Sequence, residues 1–400
     1  MTIDASPLYD PDTYVEGVPH DLLDRLRAES PVHWHPDHPE GPRYVVTTHP
    51  YVREFNREWE NYSSSQLAVA GGEGDHRDDG RAITLLEFDP PEHTSLRLLV
   101  NRGFTPRAIR ELEDTAHRIA GELVEAFVHR GGGDAAIELA AQLPLQVTGE
   151  MLGIPVEDRQ DILDWTSAII GAFDPDIVPE PIAAMEPFMK FGEYGQTHIA
   201  RRRADPGDDI FSSLVHAEYE GQRLTDEELG GWWQLLVTGS TETTRNLLSG
   251  GLLLLLEHPD QTARLTGDPS LLDSAIDEML RLVTPVMHHQ RRVTAPVSHR
   301  SGVDLAENDI VDLWMSAGNR DPQVFDNPHD FDVARKPNDH LALGSGGPHY
   351  CLGSHLAKQE ARAYFTALLP HLDRLEPAGE VGRLRTTHFN SLKRLPVEVR

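Results

Sequence analysis

The sequence holds a single cysteine, Cys351, in 400 residues. An internal disulfide is excluded, and a structural disulfide framework with it. Positive charge is scarce: 36 Lys and Arg stand against 65 Asp and Glu, a formal net charge of −29. That balance argues against a nucleic-acid partner, because phosphate backbones are bound through cationic side chains. It suits a freely diffusing protein whose copies repel one another. Long apolar runs are missing. The longest, Leu252 to Leu256, falls far short of the roughly 20 residues a membrane span needs. Residues 1–7 show neither a basic n-region nor an apolar h-region. No secretory signal or membrane anchor is therefore expected, and a cytoplasmic location is. No Pro/Gly/Ser linker, repeat or long low-complexity tract divides the chain. Length alone allows about two or three average domains. Helical patterns running almost end to end make one domain over residues 1–400 the simpler expectation, large enough to enclose a cofactor.

What is present centres on Leu343-Gly-Ser-Gly-Gly-Pro-His-Tyr-Cys351-Leu-Gly353. This glycine-rich loop runs into a helical pattern formed by Leu352, Leu356, Ala357, Glu360, Ala361, Tyr364 and Phe365. Cys351 thus sits where a loop enters a helix. Unpaired backbone N–H groups and the positive end of the helix macrodipole meet there, and both favour thiolate over thiol. A lone thiolate can act as a nucleophile or as a metal ligand. No Cys/His set at zinc spacing surrounds it. Haem iron needs only one protein ligand on its proximal side, and Cys is among those it takes.

Along the chain, residues 8–27 read as a loop followed by a short helix. Val32 to Trp34 and Tyr44 to Thr47 read as a small hairpin. His33 and His35 are read as strand residues, because no third metal ligand is in view. Residues 68–82 have a loop composition. Pro106 to Arg130, Leu139 to Leu152, Arg159 to Ile170 and residues 188–203 read as helices, with Asp174 to Pro187 a loop. Arg201, Arg202 and Arg203 suit a helix C-terminus. Thr225-Asp-Glu-Glu228 has the form of a capping box. From there helical character runs to His258, about 33 residues or roughly 50 Å. Glu242 and several Thr lie inside this mostly apolar helix and need partners. Thr243 can donate to the Gly239 carbonyl four residues back, which loosens a turn and opens a notch. Asp268 and Pro269 start the next helix as N-cap and first residue. Glu278 and Arg281 share one face of it, at a spacing that is usually a minor surface pair. Thr284 to Val297 reads as strand.

Five segments together resemble the cytochrome P450 family. Gly347-x-His349-x-Cys351-x-Gly353 resembles its cysteine loop, and Glu278-Met-Leu-Arg281 its E-x-x-R. Glu242-Thr243-Thr244 resembles its acid–alcohol pair on a long helix. Asp89-Pro-Pro-Glu-His93-Thr-Ser-Leu-Arg97 resembles its haem-propionate segment. Asn319-Arg-Asp-Pro322 with Phe331, Asp332 and Arg335 resembles the run before the cysteine loop. They occur in the family's order and at its spacings over roughly residues 8–400. The absence of an N-terminal anchor resembles the soluble bacterial members.

The resemblance implies a mainly α protein with small β-sheets, the single-domain triangular helical prism of the family. It implies heme b with Cys351 as its metal ligand, and His93, Arg97, Arg292 and His349 around the propionates. Counting back from Gly302 favours Arg292 over Arg291, and the histidines before them, His288 and His289, are read as structural. Thr243 and Glu242 would be catalytic, delivering protons to O2 bound at the haem. Glu278 and Arg281 would form a buried network with Arg335. Val286 and Met287 match positions that line the substrate pocket, the helices around residue 175 form the lid, and residues 68–82 match a substrate-contacting loop. Two departures stand out. Ser240 brings a hydroxyl where the family has bare backbone. The cysteine loop is one residue longer than usual, with Leu343 in the shielding place of the usual Phe. Actinobacterial members acting on sterols, branched lipids or terpenoids have a similarly long loop.

The expected function is therefore a haem-thiolate monooxygenase that inserts one oxygen atom from O2 into a small apolar organic substrate. Electrons would come from NAD(P)H through ferredoxin and ferredoxin reductase. The ferredoxin would dock near Cys351, on a basic patch of Lys358, Arg362, Arg107 and Arg110. Two alternatives stand beside it: a peroxide-using or rearranging haem-thiolate enzyme, and a non-enzymatic haem sensor or carrier.

Overall fold

The computed structural model describes residues 3–65, 84–101, 106–219 and 221–400. The expected substrate loop at 68–82 falls outside the described residues. The chain is built around the long helix Asp226–Glu257, 32 residues and about 48 Å at 1.5 Å per residue. Its start is the expected capping box. Thr225 Oγ1 accepts from the Glu228 N–H at 3.2 Å, and Glu228 Oε2 accepts from the Thr225 N–H at 2.7 Å. Leu229, Trp232, Trp233, Leu236, Leu247, Leu248 and Leu252 are all buried, as befits a helix that crosses a core. Helices Gln142–Leu152, Met185–Ala204, Leu272–Val283 and Ser354–Leu368 pack against it. A Cβ on Gly251 would come within 2.8 Å of the Phe365 ring, so the absent side chain lets the cysteine-bearing helix close on the long one. Hydroxyls along the long helix turn back on its own carbonyls. Thr238, Thr241, Thr243 and Ser249 each bond the residue four back at 2.7–2.8 Å.

A five-stranded sheet lies to one side. Val32–His35 and Arg43–Val46 form the expected hairpin. Ile310–Trp314 joins parallel to Arg43–Val46, His288–Val293 pairs antiparallel with Ile310–Trp314, and Tyr62–Ser63 closes the edge. Arg291 stands opposite Val311, whose side chain packs with Phe55, Tyr62 and Val293. Successive strand residues point to opposite faces, so Arg292 turns the other way. That other face carries Asp312, to which Tyr9 donates and near which Arg43 lies. His35 stacks on Tyr9 with ring centroids 5.2 Å apart, so the histidines of the first strand act as sheet packing.

Charge closes the fold near the end of helix Leu272–Val283. Arg281 donates to both oxygens of Glu278 at 2.7 and 2.8 Å, and Arg335 adds a third bond at 2.9 Å. Arg281 also reaches the carbonyls of Asn319 and Pro328 at 2.8 and 2.6 Å. The Glu278 and Arg281 side chains are 0% exposed. The pair is the buried network that the resemblance implied, with each lone pair and proton matched.

Several boundaries move. The loop at 174–187 ends sooner, because helix Met185–Ala204 starts with Pro187 in its first turn, where a missing N–H costs nothing. The strand expected over 284–297 breaks into His288–Val293 and the start of a second strand, Val297–Ser298. Met287 packs with Leu8, Leu23 and Trp314 rather than lining a pocket, and His288 stacks on Trp314 at 4.6 Å. Arg202 bonds the Gly153 carbonyl at 2.7 Å and Asp209 at 2.9 Å, and Arg203 meets Asp226 at 2.6 Å, so the basic triplet ties down a helix end. Among the described residues, no helix is long and apolar enough to cross a membrane.

Candidate active site

Cys351 lies just before helix Ser354–Leu368. Its N–H donates to the Leu343 carbonyl at 2.8 Å, which closes the lengthened loop on itself. Gly347 is pressed against a neighbouring helix, where a Cβ would lie 2.1 Å from the Asn56 carbonyl oxygen. Ser345, within the lengthened stretch, is held from two sides. Asn56 donates to its hydroxyl and Arg57 to its carbonyl, both at 3.0 Å. Arg291 in turn donates to Asn56 Oδ1 at 2.8 Å. Leu343 is buried in the main core and Cys351 packs against that core. Burial pushes the Cys351 thiol up, and the Gly353 N–H and the Arg97 guanidinium offset this only in part. The loop N–H favours thiolate as the sequence suggests, and burial opposes it. A coordinated metal deprotonates a thiol outright.

Beside the cysteine, cationic and donor side chains converge. The His93 and His349 rings lie 4.3 Å apart. Arg97 Nη1 meets the Pro348 carbonyl at 3.4 Å. Burial, reinforced by Arg291, His93 and Arg97, holds His349 far below the ordinary histidine range. Burial and then Arg97 bring His93 down to about 4. Among the described residues, both His93 nitrogens and Nε2 of His349 are buried with no hydrogen-bond partner. Asp89, the nearby acid, has its oxygens occupied by the Ser63 hydroxyl and the Ser64 N–H. Buried donors of this kind call for an acceptor. A pair of carboxylates on one ligand satisfies them, and a Cβ at Gly353 would meet nothing within 4 Å. The residues present thus fit haem, with propionates against His93, Arg97, Arg291 and His349 and iron at Cys351. Arg291, rather than the expected Arg292, is the strand arginine placed beside His349. Counting from Gly302 could not see the pleat, which sends Arg292 to the opposite face. His289, one pleat period before Arg291, shares its face and feels Arg291, His388 and His349, all of which, with burial first, keep it neutral.

On the long helix, Thr243 donates to the Gly239 carbonyl at 2.7 Å, as expected. Glu242 does not point with it. Its Oε1 accepts from the Ser391 hydroxyl at 2.8 Å and its Oε2 lies 3.5 Å from Arg245 Nη1. No hydrogen bond joins the Glu242 and Thr243 side chains among the described residues. The Ser240 hydroxyl bonds the Leu236 carbonyl and Thr148 Oγ1, the latter at 2.8 Å. It ties two helices together.

The expected lid corresponds to helices Arg159–Ile170 and Met185–Ala204 with the loop between. Asp174 of that loop is 1% exposed and takes both oxygens to Lys393 Nζ, at 2.9 and 2.8 Å. The expected basic docking patch is largely spoken for. Lys358 pairs with Asp277 at 2.6 Å and Arg362 with Asp273 at 2.5 Å. Arg110 stays exposed, and the side chain of Arg107 lies outside the described residues.

Known proteins resemble this chain over most of its length. The family model for cytochrome P450 matches residues 190–396. A steroid C26-monooxygenase of Rhodococcus jostii is 33% identical over 97% of this chain and 83% of its own. A methyl-branched lipid omega-hydroxylase of Mycobacterium tuberculosis is 37% identical over 78% of this chain and 74% of its own. The solved structure of a Mycobacterium marinum cytochrome P450 in complex with pseudoionone matches with a TM-score of 0.91 at 31% identity. It covers 100% of this chain and 98% of that one. Fold and site together define a haem-thiolate oxygenase. The chain belongs to the cytochrome P450 family. It is a monooxygenase that uses haem and O2 on an apolar substrate.

Proposed function

We propose that this monooxygenase, a single cytoplasmic domain over residues 1–400, holds haem b on Cys351 and hydroxylates a sterol or a methyl-branched lipid. Electrons come from NAD(P)H through ferredoxin and ferredoxin reductase. The observation that carries the reading is the set of buried donors at His93 and His349, beside Cys351, that meet no acceptor among the described residues. The substrate class rests on the names of the two curated relatives and on the lid, whose Phe173, Ile177, Ile182, Met185, Phe188 and Met189 are exposed apolar side chains.

Cys351 would hold the haem iron, and the Arg97 and Arg291 cations would hold the propionates together with N–H groups donated by His93 and His349. When bound, haem supplies dioxygen activation and insertion of one oxygen atom into a C–H bond, with the thiolate favouring O–O cleavage. The protein orients the substrate, keeps water out and moves protons. Thr243 holds a hydroxyl on the Gly239 carbonyl at the notch. Glu242, one residue before it and buried, is the acid that refills the notch with protons. It does so by turning away from Ser391.

The first test is the spectrum of the reduced protein with carbon monoxide. A Soret band at the red-shifted thiolate position is expected. A band at the position of neutral-thiol or histidine ligation in freshly folded protein would overturn the assignment of Cys351. A panel of sterols, methyl-branched fatty acids, terpenes and polyketides then tests the substrate class. Sterols or branched lipids should displace the distal water at the lowest concentrations, and a stronger response to polyketides would sink that class.

A further inference from the structure

Three consecutive residues near the C-terminus make three different long-range contacts. Ser391 donates to Glu242 Oε1 at 2.8 Å, and both residues are buried, 3% and 4% exposed. The Leu392 carbonyl accepts from Arg245 Nη2 at 3.3 Å, while Arg245 Nη1 lies 3.5 Å from the other Glu242 oxygen. Lys393 Nζ holds Asp174 of the lid loop, and Asp176 beside it at 2.6 Å. The same loop is gripped by Arg385, whose N–H donates to Asp174 Oδ2 at 3.0 Å and whose guanidinium bonds the Phe173 carbonyl. Leu392–Arg394 pairs with Gly382–Arg383 in a two-stranded sheet, and the Leu384 N–H bonds the Ser391 carbonyl at 3.0 Å. Ser391 and Lys393 lie one pleat period apart, so one short stiff element carries both the lid contact and the contact to the acid.

We propose that Ser391 is a positioning residue for Glu242 and that the C-terminal hairpin couples the acid to the lid. This rests on the reading of Glu242 as the proton-delivering acid. While Lys393 holds Asp174, Ser391 and Arg245 occupy both carboxylate oxygens and keep Glu242 turned away from Thr243. Release of the lid loop frees the hairpin, weakens the Ser391 bond and lets Glu242 swing toward the notch. Coupling of this kind is reciprocal: loss of the Ser391 bond must loosen the lid, and loss of the lid contact must alter proton delivery.

The test uses the haem-loaded full chain with Ser391→Ala, Ser391→Thr, Lys393→Met and Glu242→Gln. Hydrogen exchange is read on the amides of residues 171–184. The H2O/D2O rate ratio is read on NADH-driven oxygen consumption, with a surrogate ferredoxin and reductase. Ser391→Ala is expected to speed exchange in the lid loop at least threefold and to change the solvent isotope ratio at least twofold. Ser391→Thr should restore both. Lys393→Met, which touches neither Glu242 nor Thr243, should change the isotope ratio in the same direction as Ser391→Ala. Faster lid exchange in Lys393→Met with a wild-type isotope ratio would overturn the coupling. So would wild-type lid exchange in Ser391→Ala. A wild-type ratio in Glu242→Gln would instead remove the acid role of Glu242, leaving the mechanical link to be decided by the exchange rates.

Discussion

Thr243 and the strand arginines are single positions at which one hydrogen bond or one pleat decides the chemistry. Thr243 was legible because its partner lies four residues back, a separation fixed by the helix itself. The bond to Gly239 at 2.7 Å fixes its hydroxyl on that carbonyl. Thr243→Ala removes that hydroxyl while leaving the helix and its buried neighbours in place. Productive turnover should fall about 100-fold, the lower end for a positioned proton-transfer group. NADH consumption should continue with release of peroxide, and the ratio of product to NADH measures this. Thr243→Ser should keep most of the ratio. The strand arginine was not legible, because consecutive arginines differ only in the face they take. Arg291 bonds Asn56, which bonds Ser345 of the cysteine loop; Arg292 stands on the far face. Arg291→Leu should therefore lose haem to apomyoglobin at least tenfold faster than wild type, and Arg292→Leu should not. Equal rates for the two variants would return the propionate contact to an open question. The thiol of Cys351 shows the same divide. The helix start that favours thiolate is local and visible in sequence, whereas the burial that outweighs it comes from residues brought in by the fold.

Elements differ in how far their supports lie along the chain. Helix Leu272–Val283 carries Glu278 and Arg281 three residues apart, and motif order supplied Arg335. The sequence therefore exposed the charged members of this network, but not Asn338, which donates to Glu278 Oε2 at 3.0 Å, nor the Pro328 and Asp330 carbonyls that accept from Arg281. Removing one partner of a fully buried pair leaves the other charge without its match. Glu278→Ala should destabilise the protein by about 3–5 kcal/mol, read as a lower denaturant midpoint at unchanged slope. A shift below about 1 kcal/mol would mean that the network behaves like a surface pair. The lid is the opposite case. Lys393 and Asp174 come from distant parts of the chain, and no local period marks them as partners. Burial opposes ionisation of Asp174, but the Lys393 ammonium and the N–H groups of Arg385 and Asp176 outweigh it and hold the carboxyl below its ordinary range. A depressed carboxylate means that the lid contact is complete above the ordinary aspartate range and is lost as pH falls through the folded value. The docking patch misled for a related reason. Lys358 and Arg362 read as free cations in sequence, but helix Leu272–Val283 brings Asp277 and Asp273 against them.

Over the whole molecule two pH effects oppose each other. The net charge of −29 repels itself, and lowering the pH relieves that repulsion, which favours the compact state. Buried histidines act the other way. His198 is 1% exposed, and burial, with Arg201 and Arg202 near it, brings it down to about 4 despite its bond to the Leu152 carbonyl. His288 is 7% exposed, and burial and then Arg43 bring it to about 4 as well. Neither belongs to the group that faces the haem propionates, so loading with haem leaves both effects in place. The folded value lies below the unfolded one, so the unfolded chain takes up the proton first as pH falls. Stability is complete above about pH 6.5 and is lost between there and about pH 4. Each group is worth on the order of 3 kcal/mol across that window, at about 1.4 kcal/mol per unit. Together they approach the lower part of the 5–15 kcal/mol that holds a typical domain, whereas relief of surface repulsion is screened by salt. The histidines should therefore win. Denaturant unfolding of the haem-loaded protein at 0.15 M salt should show stability falling from pH 6.5 toward pH 4. His288→Phe keeps an aromatic ring to stack on Trp314 and should flatten the slope by up to about 1.4 kcal/mol per pH unit. A stability that rises as pH falls through this window would show that self-repulsion, not histidine burial, governs the acid side.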